Sequence, residues 1–360
     1  MPGGELVLVT GASGFIAAHV VQQLQLAGYR VRGTVRNLDN EQKVKPLREI
    51  CPDAAYPLEL VEADLLKPES WVDAVEGCTY VCHTASPLPV DQPKNEDELI
   101  KPAVEGTLSV LRAAKEAKCV KRVVLTGSVA SMINGYAWDE SKCIDEENWT
   151  DPDKKDIGTY PKSKTLAEKA AWDFVNDISD DDDCKFELVV LNPSFVIGPV
   201  LSGVLSASME VIKCLMQREM PMITRLHFGM IDVRDVAAAH VTALTADDVA
   251  GKRHILCNGA MWLKEIGEAL EEEFKSQGYN IPLTEAPYVV MWLYARFDAP
   301  IRQLLPSVGR KMWLDNTRMR EVLNIEPRPL KQAVIDMAYS MIEKGMVKKT
   351  AKYKGPPSSD

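Results

Sequence analysis

Short, unbroken apolar runs alternate with longer stretches of helical periodicity through the first half of the chain. Residues 6–10, Leu-Val-Leu-Val-Thr, read as a strand buried on both faces, as in a parallel sheet covered by helices. The spacing predicts a helix over 14–27, ended at Gly28. Further strands are predicted at 31–35, 57–61, 79–83, 122–126 and 186–191. A long helix is predicted over 98–117 and another over 159–175, and the acidic run 179–183 reads as a solvated loop. This alternation predicts an α/β fold, a Rossmann-type doubly wound parallel sheet.

Past Asn192-Pro193 the rhythm gives way to helices and scattered short strands, which predicts a smaller, mainly C-terminal substrate-binding domain. The nucleotide-binding domain is expected to cover 1–199 plus about 228–258, with 231–243 and 254–257 returning to it. The substrate-binding cap is expected over about 200–227 plus 259–345, and the tail 346–360 is expected to be loose.

With 360 residues, 46% hydrophobic and 26% charged, the chain has the make-up of a soluble enzyme with a large core. A formal net charge of -10 argues against a nucleic-acid partner, because no basic field would draw in phosphate backbones. The apolar stretch 288–295 is too short to cross a membrane and is closed by Arg296. The first five residues lack the basic and apolar regions of a signal peptide, and the eight cysteines form no Cys-x-x-Cys pair. Reduced thiols and a cytoplasmic setting are therefore expected. The five histidines each stand alone without ligand spacing, so no metal site is expected. Cys78 and Cys82 read as core, as do Trp262, Trp292, Trp313, Met209, Met216 and Met291, with some of the latter six facing a cleft if the substrate is apolar.

The candidate chemistry starts at Thr10-Gly11-Ala12-Ser13-Gly14-Phe15-Ile16-Ala17, which follows a strand and opens a helix. Gly11 permits a tight turn, and Gly14 lets backbone amides approach a pyrophosphate at the helix N-terminus. Gly11, Ser13, Gly14, Phe15 and Ile16 are the expected contacts; the alternative is a glycine-bearing turn with no ligand. At the end of the second strand, Thr34-Val35-Arg36-Asn37 carries no acid before Asp39, where an NAD enzyme would place one. Arg36, joined by Lys43 from the next helix, can pair with a ribose 2′-phosphate, so NADP(H) is expected; otherwise Arg36 is a solvated strand-end charge. Asp64 and Leu65 would lie beside the adenine, where Asp64 either accepts its amino proton or caps a helix. Thr84, Ala85 and Ser86 close the fourth strand at the carboxyl edge, where such sheets bind ligands. Finally, Tyr160 and Lys164 stand one helical turn apart on one face. A phenol with a pKa near ~10 is a poor acid at neutral pH, and a neighbouring cation pulls that value toward the working range.

Taken together, these residues resemble the extended short-chain dehydrogenase/reductase superfamily, with further marks in Leu191-Asn-Pro-Ser-Phe-Val-Ile-Gly-Pro199 and Asp232-Val-Arg-Asp-Val236. The likeness runs from Leu6 to about Pro329 and is strongest to the branch of dihydroflavonol reductases, cinnamoyl-CoA reductases and related aldehyde and ketone reductases. It implies that Ser128 binds the substrate carbonyl, with Ser131 as the competitor for that role, that Tyr160 donates the proton, and that Lys164 holds the nicotinamide ribose and tunes the tyrosine. It also implies cofactor contacts at Pro193, Ser194, Val196 and Ser208. The implied activity is NADPH-dependent reduction of an aldehyde or ketone, with a small-molecule carbonyl or alcohol as partner, no nucleic acid, no membrane, and a monomeric or homodimeric state. The rivals are a hydroxysteroid dehydrogenase- or nucleotide-sugar epimerase-like enzyme, and a non-enzymatic NADP-sensing protein. One departure stands out. Cinnamoyl-CoA reductases carry Asn-Trp-Tyr-Cys-Tyr-Gly around the catalytic tyrosine, whereas this chain reads Ile157-Gly158-Thr159-Tyr160-Pro161, which counts against a CoA thioester substrate.

Overall fold

The computed structural model describes residues 4–87, 95–133, 142–154 and 157–357. Its strands are β1 (Leu6–Val9), β2 (Arg30–Val35), β3 (Glu59–Glu62), β4 (Tyr80–His83), β5 (Arg122–Thr126), β6 (Glu187–Pro193), β7 (Phe195–Ile197), β8 (His227–Asp232), β9 (Arg253–Leu256) and β10 (Gly259–Trp262). The helices are α1 (Phe15–Leu26), α2 (Glu41–Arg48), α3 (Ser70–Val75), α4 (Asp97–Ala117), α5 (Thr159–Asn176), α6 (Ala207–Met216), α7 (Val233–Ala243), α8 (Leu263–Phe274), α9 (Tyr288–Tyr294), α10 (Ala299–Leu304), α11 (Thr317–Glu321) and α12 (Leu330–Glu343). Short 3-10 turns add to these, among them Val129–Ser131 after β5.

Seven strands form one parallel sheet in the order β3-β2-β1-β4-β5-β6-β9. The apolar run of β1 is buried along its whole length because both faces are covered. Val7 and Val9 point into the layer built by α1, α2 and α7, while Leu6 and Leu8 point into the layer built by α3, α4 and α5. This is the period-2 alternation of a strand, with an apolar destination on each side. The chain winds outward from β1 through β2 to β3, then returns to lay β4 on the other flank of β1. That reversal opens a crevice at the carboxyl ends of β1 and β4, the place where doubly wound sheets take their ligands.

A second, three-stranded sheet takes β7, β8 and β10, with β8 parallel to β7 and antiparallel to β10. The stretch 231–243 therefore divides. Its first two residues finish β8 in the small sheet, and the remainder is α7, packed beside α1. A separate apolar cluster from α6, α8 and α12 underlies the small sheet, with Met209, Met216, Ile266 and Phe274 at its centre.

The tail departs from the loose segment expected of it. Val347 is fully buried, the Tyr279 hydroxyl donates to the Lys348 carbonyl at 3.1 Å, the Thr350 hydroxyl donates to the Gln277 carbonyl, and Tyr353 packs near Tyr339. These contacts give residues 346–357 a destination that composition does not reveal; 358–360 lie outside the described residues.

Candidate active site

The glycine turn sits at the reversal point. Gly11 has φ +65°, and a Cβ placed on it would lie 3.1 Å from Ala85 Cβ, so the turn is both left-handed and crowded by the end of β4. Its N–H donates to Thr34 Oγ1 at 2.9 Å, and the next amide, of Ala12, donates to the Thr34 carbonyl at 2.9 Å. The turn is thus fastened to β2 through backbone and hydroxyl alike. Beyond Ser13, α1 starts at Gly14 in an extended conformation with no side chain capping it. The first-turn amides, including those of Phe15 and Ile16, therefore have no side-chain acceptor, and the helix dipole adds positive potential there. This cradle fits the pyrophosphate of a dinucleotide.

Arg36 lies exposed just past β2, and Lys43 is half-buried on α2. Among the described residues neither forms an ion pair. The turn between them is shaped instead by Asn37 Oδ1, which accepts the Asp39 N–H at 2.7 Å, and by Glu62, which accepts the Leu38 N–H at 2.8 Å. Both side chains are therefore open to an anionic ligand. Asp64 closes the turn into α3: its Oδ1 accepts the Leu66 N–H at 3.0 Å and its carbonyl accepts Trp71 Nε1–H at 3.1 Å. Leu65 packs on the α3–α4 cluster. The half-buried Asp64 thus has the turn-forming role in this structure.

Ser128 follows β5 with extended backbone, and its Oγ accepts the Ala130 N–H at 3.1 Å. Ser131, its competitor, is fully buried, and its hydroxyl is consumed by Glu168 Oε2 at 2.6 Å and by Arg253 Nη2 at 3.0 Å. Ser128 is the serine whose hydroxyl proton remains to be donated. The turn that carries it packs against α5, the helix of Tyr160 and Lys164. Gly158 opens α5 without a side-chain cap, so Tyr160 stands in the first turn, 44% exposed. Ser163 turns inward and donates to the Tyr160 carbonyl at 2.8 Å, while Lys162 pairs with Glu96 at 2.9 Å on the α4 side. Lys164 is left without an ion pair among the described residues. Its charge is felt at His83, the last residue of β4, whose pKa falls to about 3 through burial first and the Lys164 charge second. Thr84, Ala85 and Ser86 follow directly on His83 at the carboxyl end of β4.

The segment after β6 runs past the same crevice. Pro193 ends β6, and the Ser194 hydroxyl and amide both donate to the Leu256 carbonyl at 3.0 Å. Val196 on β7 lies where the two largest clusters meet. Ser208, buried at the start of α6, is 3.0 Å from the Ser206 hydroxyl. His19 on α1 ties this segment to the glycine-turn helix: its Nε2–H donates to the Pro199 carbonyl at 2.8 Å.

The methionines singled out in the C-terminal half are buried, whereas Trp292 and Trp313 are 44% and 47% exposed. His227 lies between Trp262 and Trp313, with ring centroids 4.8 Å and 5.8 Å away. Sequence reading passed over Thr10, Thr34 and His83, which fix the glycine turn. Thr10 and Thr34 stand inside the very motifs quoted for Gly11 and Arg36, but their partners lie 73 and 23 residues away along the chain.

Residues 7–257 match the model of the NAD dependent epimerase/dehydratase family. Among curated proteins, the chain is 38% identical to "Cinnamoyl-CoA reductase CAD2" of Medicago truncatula over 91% of this chain and 96% of that one. Among solved structures, it resembles Gre2 of Candida albicans in complex with NADPH, with TM-score 0.77 and 27% identity over 94% of this chain and 99% of that one. It also resembles yeast methylglyoxal/isovaleraldehyde reductase Gre2 complexed with NADPH, with TM-score 0.76 and 28% identity over 95% and 99%.

Proposed function

Because the chain belongs to the NAD dependent epimerase/dehydratase family, we propose that it is an NADPH-dependent oxidoreductase that reduces an aldehyde or ketone to the alcohol. The observation that carries this reading is the packing of α5, the helix of Tyr160 and Lys164, against the turn that carries Ser128. That turn follows β5, which pairs with β4, and the residues just past β4 crowd the glycine turn. A nucleotide fold and a proton donor share one edge.

The residues divide the work. Gly11, Ser13, Gly14, Phe15 and Ile16 receive the pyrophosphate, Arg36 and Lys43 the 2′-phosphate, and Asp64 and Leu65 border the adenine. Thr84, Ala85, Ser86, Pro193, Ser194, Val196 and Ser208 line the path to the nicotinamide. When bound, the reduced nicotinamide supplies the hydrogen and electron pair that the carbonyl carbon accepts. Ser128 donates its free O–H to the carbonyl oxygen and orients it. Tyr160 passes its phenolic proton to that oxygen, and the Lys164 ammonium stabilises the phenolate that remains. In the reverse direction the same phenolate takes the alcohol proton.

The basic Arg36 favours NADPH over NAD and so speaks against an epimerase, and the intact Tyr160–Lys164 pair speaks against a pure NADP sensor. The residues before Tyr160 favour a free aldehyde or ketone over a CoA thioester. We place the protein in the cytoplasm, where its eight free cysteines stay reduced; no helix among the described residues is long and apolar enough to cross a membrane. NADPH oxidation with aliphatic, aromatic and cyclic carbonyls, and with cinnamoyl-CoA beside them, tests the proposal. Turnover of aldehydes or ketones without the thioester is expected; tight NADPH binding with no turnover of any carbonyl would overturn it.

A further inference from the structure

Beneath Ser128 lies a buried polar network that proton transfer does not itself require. Glu168 sits on α5 one helical turn past Lys164, and its side chain is 1% exposed. Its carboxylate meets only donors: Arg253 Nε–H at 2.6 Å on Oε1, and the Ser131 hydroxyl at 2.6 Å and Asn192 Nδ2–H at 2.9 Å on Oε2. Arg253, from the outermost strand β9, spends three further donors on Ser131 Oγ at 3.0 Å and on the carbonyls of Glu146 and Asn148 at 2.9 and 2.6 Å. Its guanidinium lies 3.6 Å from the centre of the Trp149 ring.

Asn192 completes the set. Its Nδ2 faces three acceptors, Glu168 Oε2, Ser131 Oγ at 3.3 Å and the Ser128 carbonyl at 3.2 Å, which fixes the amide orientation chemically. The backbone just before Ser128 rests on this amide. A Cβ on Gly127 would fall 2.5 Å from Asn192 Nδ2 and 3.2 Å from Glu168 Oε2.

A buried ion pair contributes little net stability compared with apolar residues of the same shape. What this one does is geometric. It draws the Ser131 hydroxyl inward, pins the Ser128 carbonyl and joins both to the helix of Tyr160 and Lys164. We propose that Glu168, Arg253 and Asn192 are positioning residues that set the Ser128 hydroxyl against the tyrosine's proton. This rests on the reading of Ser128 as the carbonyl-binding hydroxyl.

A double-mutant cycle on kcat tests it, using Glu168→Gln, Ser128→Ala and the pair together. The glutamine must aim an N–H at a group that is itself a donor, so the serine turn shifts. Misplacement of that kind costs about 10- to 100-fold in kcat. NADPH affinity and melting temperature are read alongside. The expected result is a drop of that size for Glu168→Gln in the wild-type background at little-changed NADPH affinity, but less than about 3-fold once Ser128 is already alanine, because both changes remove the same function. Equal, independent losses in both backgrounds would overturn the positioning role and leave the Ser128 assignment standing. An unchanged kcat for Ser128→Ala would overturn that assignment and this inference with it. Should Glu168→Gln not fold, Asn192→Ala leaves the Glu168–Arg253 pair in place and completes the same cycle.

Discussion

The Thr10 hydroxyl donates to His83 Nδ1 across 2.8 Å, joining the ends of β1 and β4. The direction follows from the other partners. Thr10 Oγ1 already accepts the amides of Thr84 at 3.1 Å and Ala85 at 2.9 Å, so its one proton goes to the imidazole. His83 is therefore neutral, with its proton on Nε2. The crevice edge that holds Thr84 and Ala85 depends on that state.

His83 has company in this respect. Burial lowers the pKa of His83 from 6.5 to about 3, and of His19, His240 and His254 to about 4. The native state refuses protons that the unfolded chain accepts. Stability is then full above about pH 6.5 and falls as pH descends toward the native values, by up to about 1.4 kcal/mol per pH unit for each histidine. Melting temperature should drop steeply between pH 7 and pH 5; a flat profile over that span would contradict the burial argument.

Tyr160→Phe removes the phenolic proton and little else, since the hydroxyl holds no structural bond among the described residues. Reduction should slow by about 100-fold or more, the usual scale of a lost general acid. NADPH affinity, measured by fluorescence titration, should stay within about 3-fold. A variant with near-normal kcat would remove Tyr160 from the mechanism.

Arg36→Asp exchanges the exposed cation just past β2 for the acid that NAD enzymes keep there. The ratio of kcat/KM for NADPH over NADH should fall by about 100-fold or more, the worth of a charge-assisted phosphate contact of about 3 kcal/mol. An unchanged ratio would mean that Arg36 is only a solvated charge.

Gly11→Ala puts a methyl group 3.1 Å from Ala85 Cβ on a backbone of φ +65°. The left-handed conformation alone costs about 1–2 kcal/mol. The melting temperature should fall by several degrees and NADPH affinity with it; a variant matching wild type in both would mean the turn is not needed to seat the cofactor.

Much of this was legible in the chain. Strand β1 announces its double burial by four apolar residues in a row, and the helices α1, α4 and α5 lie within one residue of their expected ends. The Tyr160–Lys164 pair proposed as catalytic and the glycine turn are local patterns, and local patterns survive in a one-dimensional reading. The small sheet did not show, because β7 is three residues long, its partner β8 is remote in sequence, and β8 in turn pairs with β10. Helices were expected after β2 and β3 but their bounds were not legible: α2 carries Pro46 within it and buries only Val44 and Leu47, and α3 has six residues. That the Ser131 hydroxyl is tied to Glu168 and Arg253 was not legible either, because they lie 37 and 122 residues away from it. The docked tail likewise depends on Gln277, distant in sequence and polar.

The most direct measurement follows the label from NADPH deuterated at nicotinamide C4 into the product of an aldehyde reduction by mass spectrometry. Deuterium on the alcohol carbon, with transfer slowed by about 100-fold or more in Tyr160→Phe, is the predicted result. NADPH bound at the glycine turn, yet no deuterium delivered to any carbonyl carbon, would contradict the account.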